Sequence, residues 1–176
     1  MKNGQQLKFS LTAQNSPEYI KVTKLLQQQW RSVGIAVDVQ LQSGVDLQGV
    51  VSRHDYDALL YGISIGPDPD VFAYWHGSQA DPSARTRLNF SEYKSVQADR
   101  ALEAGRSRDN TLRAIKYRPF LEAWRTDAPA VVLYQPRFLY ITKGEVYGFE
   151  QKSIREASDR FSEVSNWMVV QGRLPR

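Results

Sequence analysis

Apolar and polar residues alternate from Leu7 to Ala13, with Phe9, Leu11 and Ala13 set against Lys8, Ser10 and Thr12. A period of two puts one set on a buried face, so this stretch predicts a half-buried strand. From Pro17 to Val33 the period lengthens, and Tyr19, Val22, Leu26, Trp30 and Val33 form a stripe at helical spacing. Ser16 is placed to cap the free N–H groups of the first turn, Pro17 suits the first helical position, and Gly34 supplies the left-handed residue that ends a helix. Ile35, Val37, Val39 and Leu41 then alternate with Ala36, Asp38, Gln40 and Gln42. A helix between two strands implies that they pair in parallel.

The later pattern continues the same fold class. Gly44 to Arg53 reads as a short helix, and Asp57 to Ile63 is a more continuous apolar run, as expected of a strand covered on both faces. Asp68-Pro69-Asp70 reads as a helix start, with Asp68 as the cap and Asp70 near the positive end of a helix from Val71 to His76. A polar loop spans Gly77 to Asn89, and helical spacing returns over Val96 to Gly105 and Asn110 to Trp124. Pro119 lacks the N–H for a ladder bond and is expected to kink or interrupt the second of these helices. Ala130 to Tyr134 and Phe138 to Thr142 are predicted strands divided by Gln135-Pro136-Arg137, and Ser153 to Asp159 a last short helix. The chain is thus expected to be one α/β domain, a mixed sheet flanked by helices, with no internal repeat.

Composition narrows the function classes. The net charge of +4 and pI near 9.3 raise nucleic-acid binding, but Lys21, Lys24, Arg31, Arg100, Arg106 and Arg113 are scattered along the polar faces of predicted helices. No reading motif accompanies them, so no nucleic-acid partner is expected. The chain has no cysteine, which removes disulfides and thiolate metal sites from consideration. Met1-Lys2-Asn3-Gly4 supplies no apolar segment or cleavage site, so no signal peptide is read here, and no window is apolar enough to span a membrane.

Three chemistries come into question. Gly62-Ile63-Ser64-Ile65-Gly66 matches the G-x-S-x-G pattern of a nucleophile elbow. The elbow requires a helix that begins directly after the Ser, whereas Pro67-Asp68-Pro69 delays the helix start. The only downstream histidine, His76, lies at the end of that same helix. No catalytic residue is therefore assigned. His54, Asp55, Asp57, Asp68, Asp70 and His76 could supply metal ligands, but their spacing fits helix ends and caps better than a ligand motif, and neither metal nor cofactor is expected. The aromatics Tyr56, Tyr61, Phe72, Tyr74 and Trp75 cluster around the turn. Phe72 is expected in the core, Trp75 is open between the two roles, and Tyr61, ending a strand, is open between ligand contact and packing.

The segment Tyr56-Asp57-Ala58-Leu59-Leu60-Tyr61-Gly62, followed by Asp68-Pro69-Asp70, resembles the corresponding segment in the C-terminal lobe of bacterial family 5 extracellular solute-binding proteins. Gly34-Ile35, Asp127-Ala128-Pro129 with Leu133-Tyr134, Val146-Tyr147-Gly148-Phe149, and Asp159-Arg160-Phe161 through Trp167 resemble further landmarks of that family in the same order. The resemblance implies a type II periplasmic-binding-protein lobe spanning residues 1–176, without its N-terminal lobe. It implies an extracytoplasmic receptor, periplasmic or a lipoprotein on the outer face of the membrane, that closes over a peptide or small solute and docks on an ABC permease. The implied ligand-binding residues are Tyr61, Gly62, Ile63, Ser64 and Asp68.

In peptide-binding members an aromatic at the strand end is followed three residues later by an Asp that pairs with the ligand's amino group. Tyr61 matches the aromatic, but Ser64 stands where that Asp would be, and a hydroxyl cannot supply the charge-assisted bond. Asp68 or the opposite lobe takes that role, or the ligand carries no free amine. The alternative is an interaction module that reuses the lobe without solute. A buried Tyr61 to Gly66 would favour that alternative, and an open polar cleft there would oppose it.

Overall fold

The computed structural model describes residues 6–66, 68–81, 83–84, 86–137, 139, 141–143, 146–148 and 157–168. They fall into two units, Met1–Ile65 with Pro69–Ala130, and Gly66–Asp68 with Val131–Arg176.

The first unit is built on a parallel sheet of three strands. β1 (Lys8–Gln14) lies at its centre, β2 (Ala36–Gln42) on one side and β3 (Ala58–Leu60) on the other. Lys8 pairs with Ala36 and the register holds through Gln14 with Gln42, as the two matched alternations require. The central position of β1 changes the expected alternation. Thr12, placed by sequence on the solvent side, is 1% exposed, since β1 has a strand along each edge and both α1 (Pro17–Ser32) and α2 (Gly44–Arg53) lie against it.

Local chemistry explains α1 (Pro17–Ser32). The Ser16 hydroxyl accepts from the Tyr19 N–H, Pro17 opens the helix, and Gly34 closes it at φ +84°. Tyr19, Val22, Leu26 and Trp30 pack half-buried on Leu11, Ala13 and Leu60, and Trp30 meets Phe9 edge-on with centroids 5.2 Å apart. Val33 does not join them. It is 70% exposed, because the helix ends at Ser32 and the backbone has left the helical register by Val33. α2 (Gly44–Arg53) starts on Ser43, whose hydroxyl accepts from the Asp46 N–H, and buries Leu47.

β3 is shorter than its apolar run. The strand expected over Asp57 to Ile63 pairs with β1 only from Ala58 to Leu60, since β1 itself ends one residue beyond Ala13, the partner of Leu60. Among the described residues, no strand lies beside those that follow Leu60.

A second apolar cluster joins α3 (Phe72–Trp75), α4 (Val96–Gly105) and α5 (Asn110–Asp127). Its buried members include Leu102, Phe120 and Ala123, and Trp75 packs edge-on against Trp124 at 5.4 Å, so Trp75 belongs with the core. Phe72, half-buried at this cluster, stacks on His76 at 4.0 Å. α3 begins later than the D-P-D motif suggests. Asp70, not Asp68, receives the Phe72 N–H at 3.0 Å, the short reach of a carboxylate to the backbone two residues on. Pro119 does not interrupt α5. The carbonyl that loses its ladder bond belongs to Ile115, which is 66% exposed, so water can replace the missing donor while Phe120 and Ala123 keep the helix anchored.

The polar loop after α3 ends in an interior residue. Asn89 is fully buried; its amide donates to the carbonyls of His76 and Tyr93, and its oxygen accepts the Tyr93 N–H. Sequence presents this side chain as part of a polar loop, yet it serves as the internal partner for backbone groups that no strand satisfies.

In the second unit, Val131–Tyr134 form no strand and are exposed, because no described residue offers them a ladder. The expected strand from Phe138 to Thr142 lies partly outside the described residues, as does Ser153 to Asp159, of which Ala157–Asp159 fall in a short 3₁₀ turn, Ala157–Phe161. Tyr147 and Met168 form an antiparallel bridge, each N–H donating to the other's carbonyl at 2.9 Å. Among the described residues no helix is long and apolar enough to cross a membrane.

Candidate functional site

The chain leaves β1 through α1 to β2 on one side and returns through α2 to β3 on the other, so the strand order reverses at β1. In an open parallel sheet such a reversal opens a crevice beyond the carboxyl ends of the strands. A recess of about 210 Å³ lies there. Gln14 at the end of β1 and Leu60, Tyr61 and Gly62 at the end of β3 form its floor and one wall. Tyr19 from the first turn of α1, and Gly44, Leu47 and Gln48 from the first turns of α2, complete it.

Its side chains are the amides of Gln14 and Gln48, the phenols of Tyr19 and Tyr61, and the leucines Leu47 and Leu60. Burial pushes the Tyr19 hydroxyl above the ordinary phenol range, Glu18 and Tyr61 add to the shift, and a hydrogen bond with the Gly62 backbone opposes it. A Cβ at Gly62 would stand 3.1 Å from the Tyr19 oxygen, close enough that the phenol would have to give by a few tenths of an ångström. The Tyr61 ring is 41% exposed and meets Phe90 edge-on at 5.0 Å.

Past the recess, Gly62, Ile63, Ser64 and Ile65 continue as an exposed segment of no regular structure. Among the described residues, the contacts to the backbone of Tyr61–Ile65 come from side chains: the Tyr19 hydroxyl at Gly62, and the Tyr74 hydroxyl donating to the Ser64 carbonyl at 3.4 Å. The structure therefore brings together Tyr61 and Gly62 at the recess and extends Ile63 and Ser64 from it. Asp68 is exposed in the second unit and is not among the recess residues.

Sequence reasoning missed Gln14, Tyr19, Gln48 and Phe90. The signal for Gln14 is its place at a strand end. Tyr19 falls on the apolar stripe and so reads as core, although a first-turn residue faces the strand ends as well as the sheet.

The residues that could have served catalysis or metal binding are engaged in the fold. Ser64 is followed by Ile65 and Gly66 in no regular structure, and α3 starts only at Phe72, so no helix begins directly after the Ser as a nucleophile elbow requires. His76 is turned elsewhere, with Nδ1 2.8 Å from the Ser78 hydroxyl and Nε2 3.4 Å from a Glu103 oxygen. Asp57 accepts from the backbone and hydroxyl of Ser10, Asp70 pairs with Arg106 at 2.9 Å, and His54 bonds Glu92 and the Arg87 carbonyl. Among the described residues no three His, Asp or Glu side chains are grouped to hold a metal ion.

No protein-family model matches the chain. The oligopeptide-binding protein AppA of Bacillus subtilis is 25% identical over 168 aligned residues, covering 85% of this chain. The chain spans only 30% of that relative's length. Among solved structures, AppA in complex with a nonapeptide matches with a TM-score of 0.66 at 23% identity, over 73% of this chain and 26% of that one. NikZ of Campylobacter jejuni, in complex with Ni(L-His), matches with a TM-score of 0.59 at 24% identity, over the same 73% and 26%. The sequence match to AppA and the shared architecture make this chain a homologue of the family 5 solute-binding proteins, with their type II periplasmic-binding-protein fold.

Proposed function

We propose that this chain is one lobe of a two-lobed solute-binding receptor and that the crevice at Tyr61 is its share of the ligand site. The observation that carries this reading is the exposed segment Tyr61–Ile65, which runs past the end of the sheet with its backbone unclaimed by any strand among the described residues. Backbone outside a ladder can bond a ligand that offers its own N–H and C=O groups, such as a peptide. The names of AppA and its nonapeptide complex favour a peptide or a similar small solute. The site residues proposed are Tyr61, Gly62, Ile63 and Ser64.

The remaining partners follow from the same reading. An N-terminal lobe of the same protein closes over the solute outside the cytoplasm, and an ABC permease receives it. Closure needs ligand contacts that exist only in the closed state, so one lobe alone should bind weakly. The chain acts by binding, not by catalysis. The exposure of Tyr61–Ile65 speaks against the interaction-module alternative, which called for a buried segment.

The test is calorimetry on the full-length protein with a random-sequence nonapeptide pool. Tyr61→Ala is expected to weaken binding by about 1–3 kcal/mol, typical of losing an aromatic contact, with the fold intact. Unchanged affinity in a folded mutant would move the site elsewhere.

A further inference from the structure

We propose that Phe90 is a positioning residue for the Tyr61 site, held in place by a latch of His54 and Tyr56; this rests on the reading of Tyr61 as a solute contact. Tyr61 lies beyond the last paired residue of β3, so the sheet does not orient its ring. Phe90 meets that ring edge-on at 5.0 Å, and the same Phe90 ring lies 6.5 Å from Tyr74, whose hydroxyl reaches the Ser64 carbonyl. One side chain thus stands behind both ends of the exposed segment Tyr61–Ser64.

Phe90 is itself fixed from far away in the chain. Its carbonyl accepts from the Tyr56 hydroxyl at 2.7 Å, and burial, reinforced by Glu92 and opposed by Arg87, pushes that phenol up to about 12, which keeps it a donor. The His54 ring lies 6.4 Å from Phe90, with Nδ1 3.1 Å from the Glu92 carboxylate and Nε2 3.3 Å from the Arg87 carbonyl. Arg87 in turn donates to the Ser52 carbonyl at 2.7 Å. The segment from Arg87 to Glu92 is therefore clasped at both ends to the end of α2.

The backbone indicates that the clasp is needed. Arg87 and Glu92 sit at φ +42° and +50°, a region that residues with side chains occupy when surrounding contacts hold them there, while His54 at φ +54° is the left-handed residue that ends α2. Two such residues, bonded to the capping residue of α2, form a platform whose shape depends on its cross-links. Preorganisation of this kind lowers the ordering cost of a ligand contact.

The experiment uses the full-length protein with fluorotyrosine in place of tyrosine, the Tyr61 line being assigned by Tyr61→Phe in the fluorine NMR spectrum. Tyr56→Phe, which removes one hydroxyl, and His54→Gln are each expected to shift and broaden the Tyr61 line, with several-fold weaker binding of the random-sequence nonapeptide pool. Phe90→Tyr, which keeps the ring, is expected to preserve binding, and Phe90→Leu to lose it. An unmoved Tyr61 line in folded Tyr56→Phe protein overturns the inference, whatever the fate of His54→Gln. Full nonapeptide affinity in Tyr61→Ala would instead sink the solute-site reading, while the fluorine line still decides whether the latch sets the Tyr61 ring.

Discussion

Leu60 pairs with Ala13 as the last rung between β3 and β1, and Tyr61 immediately follows it with no rung at all. Exposure rises from 9% to 41% across that one peptide bond. The apolar run continues to Ile63, but the sheet has ended, and what sequence presents as strand becomes an open shelf beside Tyr19 and Gln14. The edge of the sheet and the candidate site are therefore the same structural event.

The packing of α4 on α5 depends on a missing side chain. A Cβ at Gly105 would stand 2.8 Å from the Tyr117 ring, and the neighbouring ring atoms are equally close. Gly→Ala in a helix would ordinarily gain about 0.5–1 kcal/mol, but overpacking costs about 1–3 kcal/mol. Gly105→Ala is expected to lower stability by about 1–2 kcal/mol in urea denaturation. A stabilised mutant would mean that Tyr117 swings aside freely.

Asn89→Ala should be among the most damaging single changes. It strips partners from the Tyr93 N–H and from two carbonyls at a site with no solvent access. A buried group left unsatisfied costs about 1–3 kcal/mol, so a loss of about 2–4 kcal/mol is expected in thermal or chemical unfolding. A neutral effect would require a buried water to take over the bonds.

Asp57 links the start of β3 to β1. The Ser10 N–H and hydroxyl, each 2.8 Å from one Asp57 oxygen, hold its carboxyl below the ordinary value of 3.8. A depressed folded-state value means the contribution is complete above the unfolded value and disappears as pH falls through the folded one. Urea melts from neutral pH down through the carboxylate range should show an acid decline that becomes shallower in Asp57→Asn. Identical acid slopes would show that the Ser10 bonds contribute nothing to folding.

Ser64 should behave as an ordinary hydroxyl. It follows no elbow turn, and His76 is engaged with Ser78 and Glu103. No labelling by a fluorophosphonate probe is expected, and Ser64→Ala should leave any trace esterase rate unchanged. Covalent modification of Ser64 would refute this.

Much of the first unit is legible in sequence because its signals are local. Ser16, Pro17 and Gly34 set the ends of α1 through backbone groups within a few residues, and the alternations of β1 and β2 need only two adjacent strands to be satisfied. The helices Gly44–Arg53 and Val96–Gly105 have the bounds their sequence predicts for the same reason. Tertiary structure alone decided where β3 stops, that Thr12 and Asn89 are interior, and that Tyr19, Gln14 and Tyr61 share one recess. Each depends on what lies beside the residue in space. A strand ends where its neighbour ends, a polar group is buried where backbone groups need it, and a crevice opens where the chain reverses its order across the sheet.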